Sequence, residues 1–422
     1  MPWSAFDNLR TLLYRLSFRV ATSYFHHHAT VPVSFRRERV PPERPVIEER
    51  ILTALEAVPP RIPVVVGGCG SGRTALLNRL AVRLGTDTER IDVERVATTP
   101  EAFFAAVTET ARCHAPAVEP GTDDPRAARA AFDRVCAFLA LARTPAGDSV
   151  TFLLDEVLEI RTLQSFPGLR GALHEFWSVL CDSPNHFVLT TRFVARTRRL
   201  FRDAPDRFEF VHLPPLSPAE VSATLAGTNV GASHGERLEL SRIIHALTDG
   251  RPRYVRLLAE ATADIGAGDP VSALAAQMAP GARLSMACRF CYELRLHRAR
   301  GYGALKAILQ VLSQEEPLTL TEVAHRLGRT PGSTKDYLSW LEDVDLLTVR
   351  QKRYSFADPM LRLWVHLHGQ VTPPSEDDLA RETQEYAVTR FPYMESGPVA
   401  APAAVAVRNR HRDDSLRLIE ID

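Results

Sequence analysis

GGCGSGRT, residues 67–74, is the stretch of this sequence that decides the fold. The apolar run Ile62 to Val66 precedes it and is typical of a buried strand, and a helical pattern from Arg73 to Leu84 follows it. Glycines let the backbone turn its N–H groups inward, and the start of a helix adds a positive dipole end. The stretch therefore predicts a turn that cradles phosphate groups, with a purely structural turn as the alternative.

The turn matches the P-loop pattern G-x-x-x-x-G-K-[ST] except at Arg73, where lysine is usual. The Thr74 hydroxyl is expected to bind Mg²⁺. Arginine is always charged and can fork around a phosphate, but it is bulkier than lysine. The sequence therefore favours nucleotide binding over hydrolysis. The residues predicted to bind ATP or ADP here are Gly67, Gly68, Cys69, Gly70, Ser71, Gly72, Arg73 and Thr74.

Two carboxylates follow another apolar run, in the stretch FLLDE at residues 152–156. A strand that ends in two acids matches the Walker B element. Asp155 is expected to hold Mg²⁺ through water, and Glu156 to orient and deprotonate an attacking water. Paired acids after a strand are common, so the prediction depends on both motifs sharing one framework.

That framework is predicted to be α/β, with a P-loop NTPase core built on a mainly parallel sheet. Helical stretches separate most of the strand candidates, which is typical of a sheet covered on both faces. A helix is predicted from Ile47 to Val58, and a surface loop from Pro116 to Pro125. The remaining strand candidates are Ile91 to Val96, Val150 to Leu154, Phe187 to Thr190 and Phe208 to Leu213.

After Leu213 the pattern becomes helical. Ser217 and Glu220 form a capping-box pattern that opens a series of helices reaching about Arg300. Three helices and a hairpin are then predicted, which together make a winged helix-turn-helix. The first helix is Ala304 to Ser313, the second starts over Thr319 to Ala324 and ends at Leu327-Gly328, and the third is Ser333 to Leu341. The hairpin runs from Leu346 to Val349, through a tip at Arg350 to Arg353, and back along Tyr354 to Phe356.

The whole chain of 422 residues has room for about three domains. The boundaries predicted are 1–40 for an amphipathic helix and linker, 41–215 for the core, 216–300 for a helical lid, 301–370 for the winged helix and 371–422 for a tail. Within the tail, Gly397 to Val407 is expected to be a flexible linker and Ser415 to Ile421 a short strand.

The charge balance and the cysteine content indicate which partners and which cellular compartment to expect. Lys and Arg total 51, as do Asp and Glu, so any nucleic-acid contact would be local. The six scattered cysteines fit a reducing cytoplasm better than a disulfide framework. Cys288 and Cys291 form one CxxC without a second pair, and the segment is predicted to be an ordinary helix. No apolar run reaches about 18 residues, so no membrane-spanning helix is predicted.

The N-terminus carries apolar residues at helical spacing from Trp3 to Val20, with arginines between them. A helix packed on the body or on a partner protein is the favoured interpretation. A basic amphipathic helix in peripheral contact with a membrane surface is the alternative. The three histidines at residues 26–28 are expected to form an exposed polar turn.

The order of these motifs resembles the STAND and archaeal-type P-loop ATPases over about residues 40–370. VLTTR at 188–192 resembles their sensor-1 strand, which implies that Thr191 and Arg192 face the γ-phosphate, with Arg192 in a catalytic role. HLPPLSPAE at 212–220 looks like the passage into their lid. GRPRY at 250–254 resembles the lid's GxP motif and places Pro252 near adenine; a helix that stops at Gly250 and restarts is the alternative.

The "DP…W" ending of archaeal-type ATPases is matched by DPMLRLW at 358–364. The resemblance implies a nucleotide-controlled switch that hydrolyses ATP slowly and positions the winged helix. A DNA-binding regulator with a structural nucleotide and a non-hydrolysing scaffold are the alternatives. A neighbouring copy is a candidate partner, because one arginine among Arg198, Arg199, Arg202 and Arg207 could act as a finger for it. A solvated basic face is the favoured interpretation for most of these arginines.

DNA binding by the winged helix is considered but not favoured over a protein partner. Its third helix carries Lys335 beside Asp336, and residues 301–370 hold as many acidic as basic residues. Phosphate contacts dominate affinity for DNA, and few are on offer here. The basic side chains available for a local phosphate-binding edge are Arg329, Lys335, Arg350, Lys352 and Arg353.

Overall fold

The computed structural model describes residues 44–109, 113–115, 127–201, 206–227, 231, 233–265, 269–296, 299, 301–370 and 372–391. The predicted N-terminal helix, the histidine turn, the loop at 116–125 and the C-terminal linker and strand lie outside these residues. Within the ranges given, no helix is long and apolar enough to cross a membrane.

A five-stranded, wholly parallel sheet forms the core, in the order β2-β3-β4-β1-β5. It confirms the predicted α/β class. Strand β4 lies between β1 and β3, so the strand that ends at Thr191 is next to both strands that lead into the phosphate motifs. The strands are β1 (Ile62–Val66), β2 (Thr88–Asp92), β3 (Thr151–Asp155), β4 (His186–Thr191) and β5 (Phe208–His212).

The second strand differs from its prediction. The strand expected at Ile91 to Val96 ends instead at Asp92, and Val93–Val96 forms a short helix, α3. The Asp92 side chain accepts a hydrogen bond from the Arg95 amide, which caps the helix and ends the strand. Both valines that suggested a strand, Val93 and Val96, belong to this helix, and Val93 is buried in it.

Helices cover both faces of the sheet. Because side chains alternate along a strand, Val65 packs with α1 and α2 on one face, whereas Val64 and Val66 belong to the larger core on the other. A 3₁₀ helix, Val157–Ser165, follows β3. The helices of the core are α1 (Pro45–Glu56), α2 (Arg73–Leu84), α3, α4 (Pro100–Glu109), α5 (Ala127–Leu141), α6 (Ala172–Asp182) and α7 (Val194–Leu200).

A helical segment follows β5 and opens as predicted. The Ser217 hydroxyl accepts from the Glu220 amide at 3.3 Å, and the Glu220 carboxylate accepts from the Ser217 amide at 2.7 Å. This is the reciprocal capping box. The helices of the segment are α8 (Pro218–Ala226), α9 (His234–Thr248), α10 (Pro252–Ile265), α11 (Pro270–Met278) and α12 (Arg283–Leu296).

The next elements follow the predicted order of three helices and a hairpin. A third short strand joins the hairpin, and the antiparallel sheet has the order β6-β8-β7. After them comes a helix that begins at the predicted Asp358-Pro359 pair. The elements are α13 (Tyr302–Gln314), β6 (Leu318–Thr319), α14 (Leu320–Arg326), α15 (Pro331–Asp343), β7 (Leu347–Arg350), β8 (Arg353–Phe356) and α16 (Pro359–His368).

Part of the segment predicted as a tail is a helix. Residues Glu376–Arg390 form α17, and the Tyr386 hydroxyl donates to the Leu247 carbonyl at 2.7 Å. Its buried residues are Leu379, Thr383 and Ala387, each four apart. This stripe is narrow and contains a threonine, so the apolar periodicity was too weak to predict a helix after Pro373-Pro374.

Candidate functional site

The glycine-rich turn lies at the carboxyl end of β1. The Gly67 amide donates to the Thr191 carbonyl at 3.2 Å, which ties the turn to the end of β4. Gly70 and Gly72 have φ angles of 77° and 94°, in the left-handed region that favours glycine. Gly72 also precedes α2 without a side-chain cap. The first amides of α2 therefore lack a helical acceptor, which suits an anion.

Thr74 and Asp155 meet across the site. The Thr74 hydroxyl donates to Oδ2 of Asp155 at 3.0 Å, and the Thr190 hydroxyl donates to Oδ1 at 2.5 Å. Nη2 of Arg90 lies 3.3 Å from Oδ2. A hydroxyl and a carboxylate are hard oxygen donors of the kind that Mg²⁺ prefers, so this pair fits the ion that the motif implies.

Arg73 folds back into the turn that contains it. Its Nη1 donates to the carbonyls of Gly67 and Gly68 (2.5 Å to the latter) and lies 3.1 Å from the Ser71 hydroxyl. Its Nη2 donates to Oε1 of Glu156 at 2.5 Å. One planar guanidinium thus bridges the turn and the second acid, whereas the single nitrogen of a lysine has no second arm to do so.

Glu156 is held between two arginines. Its Oε2 accepts from the Arg192 backbone amide at 3.1 Å and lies 3.0 Å from Nε of Arg192. The side chains of Arg73, Glu156 and Arg192 are 8%, 10% and 4% exposed. Burial by itself would raise the pKa of Glu156, but the two guanidinium groups outweigh it and hold that pKa below its usual range. The carboxylate is therefore charged and engaged.

The two threonines at the end of β4 have different partners. The Thr190 hydroxyl contacts Asp155, whereas the Thr191 hydroxyl accepts from the Phe193 amide at 3.2 Å. Neighbouring residues of a strand point to opposite faces, so only one of the two threonines reaches the acid. Arg192 does reach the site, and its Nη2 also pairs with Glu94 of α3.

Thr190, Arg90 and Glu94 are contacts that the sequence analysis missed. The alternation of side chains along β4 is a signal that would have favoured Thr190 once Asp155 was taken as its neighbour. No comparable signal was present for Arg90 or Glu94, since both belong to the segment whose strand was misplaced.

The segment 250–254 lies against the turn. Gly250 has a φ of 61°, and a Cβ there would collide with the Leu216 carbonyl oxygen, so glycine is required. Helix α10 begins at Pro252, and the Arg253 amide donates to the Gly70 carbonyl at 3.2 Å. The helix therefore stops and restarts at this point, and the adenine contact of Pro252 stays a prediction.

The C-terminal elements contact the core immediately beyond Arg192. The Asp345 carboxylate, between α15 and β7, accepts from the amides of Val194 and Ala195 at 2.5 and 3.1 Å, at the start of α7. Burial raises the pKa of Asp345 and outweighs the two amides and Arg295, which act to lower it. One residue, Phe193, separates the arginine that holds Glu156 from the helix that holds Asp345.

A second contact joins the segment 250–254 to the same elements. Nη2 of Arg251 donates to the Ala357 carbonyl at 2.8 Å, and its Nη1 lies 3.4 Å from Asp358. The Tyr254 hydroxyl donates to Asp358 at 3.0 Å. The residues around the "DP" pair are thus bonded to the helix that touches the turn.

The remaining predicted cations divide into exposed and engaged groups. Arg350 and Lys352 are exposed at the hairpin tip. Arg353 donates to the Pro317 carbonyl at 3.1 Å and lies 3.5 Å from Glu322. Of the candidate finger arginines, Arg199 pairs with Asp343 and Arg207 donates to the Pro60 carbonyl at 3.1 Å. Arg202 lies outside the described residues.

Solved structures resemble most of the chain, at low sequence identity. A Walker-type ATPase of Pyrococcus abyssi is 16% identical, with a TM-score of 0.54, and the match covers 77% of this chain and 95% of that one. The chain has the fold of the P-loop ATPases. No protein-family model matches the sequence, and no curated protein matches it.

Two further structures are more distant. Orc1 of Aeropyrum pernix, solved in complex with DNA, is 16% identical with a TM-score of 0.44, and the match covers 84% of this chain and 97% of Orc1. A STAND protein with a tetratricopeptide repeat sensor from Pyrococcus horikoshii is 15% identical with a TM-score of 0.34, covering 87% of this chain and 48% of that one.

Proposed function

We propose that the chain binds ATP or ADP with Mg²⁺ and that the bound nucleotide controls the position of the C-terminal elements. The observation that carries the proposal is the short path from Glu156 through Arg192 and Phe193 to the start of α7, where Asp345 is bonded. Only Arg192 and Phe193 thus separate the Glu156 contact from the C-terminal contact, so a structural change at the site could be transmitted through two residues of backbone.

The binding part of the proposal rests on the turn and the Thr74–Asp155 pair. The left-handed glycines and the uncapped start of α2 suit phosphate oxygens, and Thr74 with Asp155 would hold the magnesium ion. The nucleotide would supply the phosphoryl group, and Mg²⁺ would screen its negative charge. Arg73 would have to leave the Gly67 and Gly68 carbonyls and Glu156 to reach a phosphate.

Slow hydrolysis is the chemistry that we assign to Glu156. A carboxylate at this place can accept a proton from water, but here Arg73 and Arg192 both engage it and keep its pKa low. A low pKa makes a carboxylate a weak base. Release of Arg73 would free one oxygen of Glu156. The ability of Glu156 to act as a base would then depend on whether a nucleotide occupies the turn. Glu156→Gln is expected to retain ATP and to abolish turnover.

We further propose that residues 301–370 act as a winged helix that contacts a protein partner, with the predicted limits 41–215 for the core and 216–300 for the lid. The Asp343 end of α15 pairs with Arg199 of the core, so part of the third helix is already engaged. A nucleotide-dependent release would expose it. A cytoplasmic location and contacts with a neighbouring copy belong to the same proposal.

DNA binding is the second candidate function. The exposed Arg350 and Lys352 at the hairpin tip favour it, because a wing of this kind can lie along a phosphate backbone. A duplex affinity that falls steeply with salt and does not depend on nucleotide would favour this regulator over the switch.

Thermal unfolding with and without 1 mM ATP and MgCl₂ tests the binding step. A ligand that binds only the folded chain raises the unfolding temperature by mass action. Thr74→Ala should reduce the part of the shift that needs magnesium, and Thr53→Ala on the outer side of α1 is the matched control. The absence of any shift in the intact chain would remove the proposal.

A further inference from the structure

Two cysteines from distant parts of the chain lie side by side at the phosphate turn. The Cys291 thiol donates to Sγ of Cys69, with 2.7 Å between the two sulfur atoms. Cys69 lies within the glycine turn and is partly exposed, and Cys291 is buried on α12. A disulfide needs its sulfurs about 2.05 Å apart, so only a small shift separates this pair from a bond.

We propose that Cys69 and Cys291 are a redox-modification site, at which a peroxide of the hydrogen peroxide class forms a reversible disulfide. The other half of the CxxC does not compete, since Cys288 is fully buried and its sulfur lies 3.8 Å from the Tyr254 hydroxyl. The site thus uses one cysteine of the turn and one of the lid helix, 222 positions apart.

The surroundings of Cys69 favour its thiolate. The hydrogen bond from Cys291, together with the charges of Arg295, Arg73 and Arg192, outweighs burial and lowers the pKa of Cys69 below that of an ordinary thiol. The same hydrogen bond raises the pKa of Cys291. The more accessible partner, Cys69, is therefore the nucleophile, and the buried Cys291 keeps its proton.

The chemistry balances with one peroxide. The Cys69 thiolate attacks one peroxide oxygen, which forms a sulfenic acid and releases hydroxide, and this hydroxide takes up the proton that the Cys69 thiol lost on ionisation to form the first water. The Cys291 sulfur then attacks the sulfenic sulfur, and its proton leaves with the departing hydroxide as water. Two thiols lose two electrons in total, and the peroxide becomes two molecules of water. A dithiol reductant reverses the bond.

The bond would fasten the turn to the lid and to the C-terminal elements. The Arg253 amide already donates to the Gly70 carbonyl, and Nη1 of Arg295, one helical turn beyond Cys291, donates to the Asp345 carbonyl at 2.9 Å. A disulfide would therefore hold the turn in its present conformation, in which the Arg73 side chain occupies it. This consequence rests on the proposed function: the oxidised chain would bind ATP at least tenfold more weakly.

Peptide mapping of the full chain tests the bond itself. After treatment of the native protein with hydrogen peroxide and digestion without reductant, we expect a peptide pair that joins Cys69 to Cys291 and disappears with dithiothreitol. In Cys291→Ser, Cys69 should instead be trapped as a dimedone adduct. Cys181→Ser is the matched control and should leave the linked pair unchanged. Failure to find the linked pair, or dimedone labelling of Cys69 no faster than of Cys181, would overturn the proposal.

Two further readouts on the same samples separate the bond from its effect. Oxidation should slow amide exchange across residues 67–72 and should reduce the ATP-induced rise in unfolding temperature, and dithiothreitol should reverse both changes. Unchanged exchange in the linked protein would overturn the fastening of the turn. If the reduced chain shows no response to ATP, the proposed nucleotide function fails, while the linked peptide and the exchange result still decide the redox site.

Discussion

The end of the central sheet and the tip of the C-terminal hairpin both carry arginines, but they use them in opposite ways. At the sheet, Arg73 and Arg192 are buried against Glu156, and each has a carboxylate within contact distance. At the hairpin, Arg350 and Lys352 are exposed. Buried charges are costly to leave unpaired, whereas exposed ones are screened by water and salt. The first region should therefore respond strongly to substitution, and the second weakly.

The largest effect is expected for Glu156→Ala. Removing this carboxylate leaves the buried Arg73 guanidinium without a carboxylate partner and Arg192 with Glu94 alone, which should lower the free energy of unfolding by about 3–5 kcal/mol. Urea unfolding without nucleotide measures it. Glu156→Gln, which keeps the shape and one acceptor, should cost less. Glu49→Ala, which breaks the exposed pair with Arg83, is the control and should cost less than about 1 kcal/mol. Equal losses at the two sites would erase the contrast between buried and exposed pairs.

The contacts of Glu156 with Arg73 and Arg192 also predict how stability depends on pH. The pKa of Glu156 is lower in the folded chain than its ordinary value of 4.5. Its stabilising contribution is thus fully present above that ordinary value and is lost as the pH falls through the lower folded value. The difference in unfolding free energy between wild type and Glu156→Gln should shrink below pH 4.5 when followed by urea unfolding. A difference that grows on acidification has the wrong sign for this account.

A smaller loss is expected at the contact between the two regions. Asp345→Ala removes the acceptor of two amides of α7, so about 1.5–3 kcal/mol of stability should be lost. Asp345 has a φ of 54°, and asparagine tolerates that region better than alanine does. Asp345→Asn therefore separates the loss of charge from backbone strain. If alanine and asparagine are both neutral in urea unfolding, the C-terminal contact does not stabilise the chain.

Arg73→Lys should change activity more than stability. A lysine keeps the charge but loses the bridge to Glu156, so the carboxylate is freer and turnover should stay the same or rise a few-fold, below about 1 kcal/mol in barrier. Steady-state ATP hydrolysis with ATP affinity measured in parallel tests this. A fall in turnover with unchanged ATP affinity would mean that Arg73 itself takes part in the chemistry.

The smallest effect is expected at the hairpin tip. Changing Arg350, Lys352 and Arg353 together to alanine should leave stability nearly unchanged. Any duplex binding should be weak and independent of sequence, and its log–log salt slope should flatten by about 2, because Arg353 is already engaged. Titration of a random duplex at several salt concentrations measures the slope. Tight, sequence-selective binding by the wild type would promote the DNA-binding regulator.

The sequence predicted the core better than it predicted the contacts between segments. The β1 turn and α2 follow from local patterns, because glycines, an apolar run and a helical period lie within about 20 residues of each other. The Arg73–Glu156 bridge and the Cys69–Cys291 pair join residues far apart in the chain, and no local pattern encodes them. Helix α17 was missed because its buried stripe is narrow and partly polar.

The central claim is that nucleotide at the turn controls the C-terminal contact, and hydrogen exchange tests it most directly. The amides of Val194 and Ala195 donate to Asp345, and residues 67–76 carry the turn and the start of α2. Adding ATP and Mg²⁺ should slow exchange at 67–76 and, in the same sample, speed exchange of the two α7 amides at least tenfold. Slower exchange at 67–76 with unchanged protection of Val194 and Ala195 would show that nucleotide binds without moving the contact, and would contradict the account.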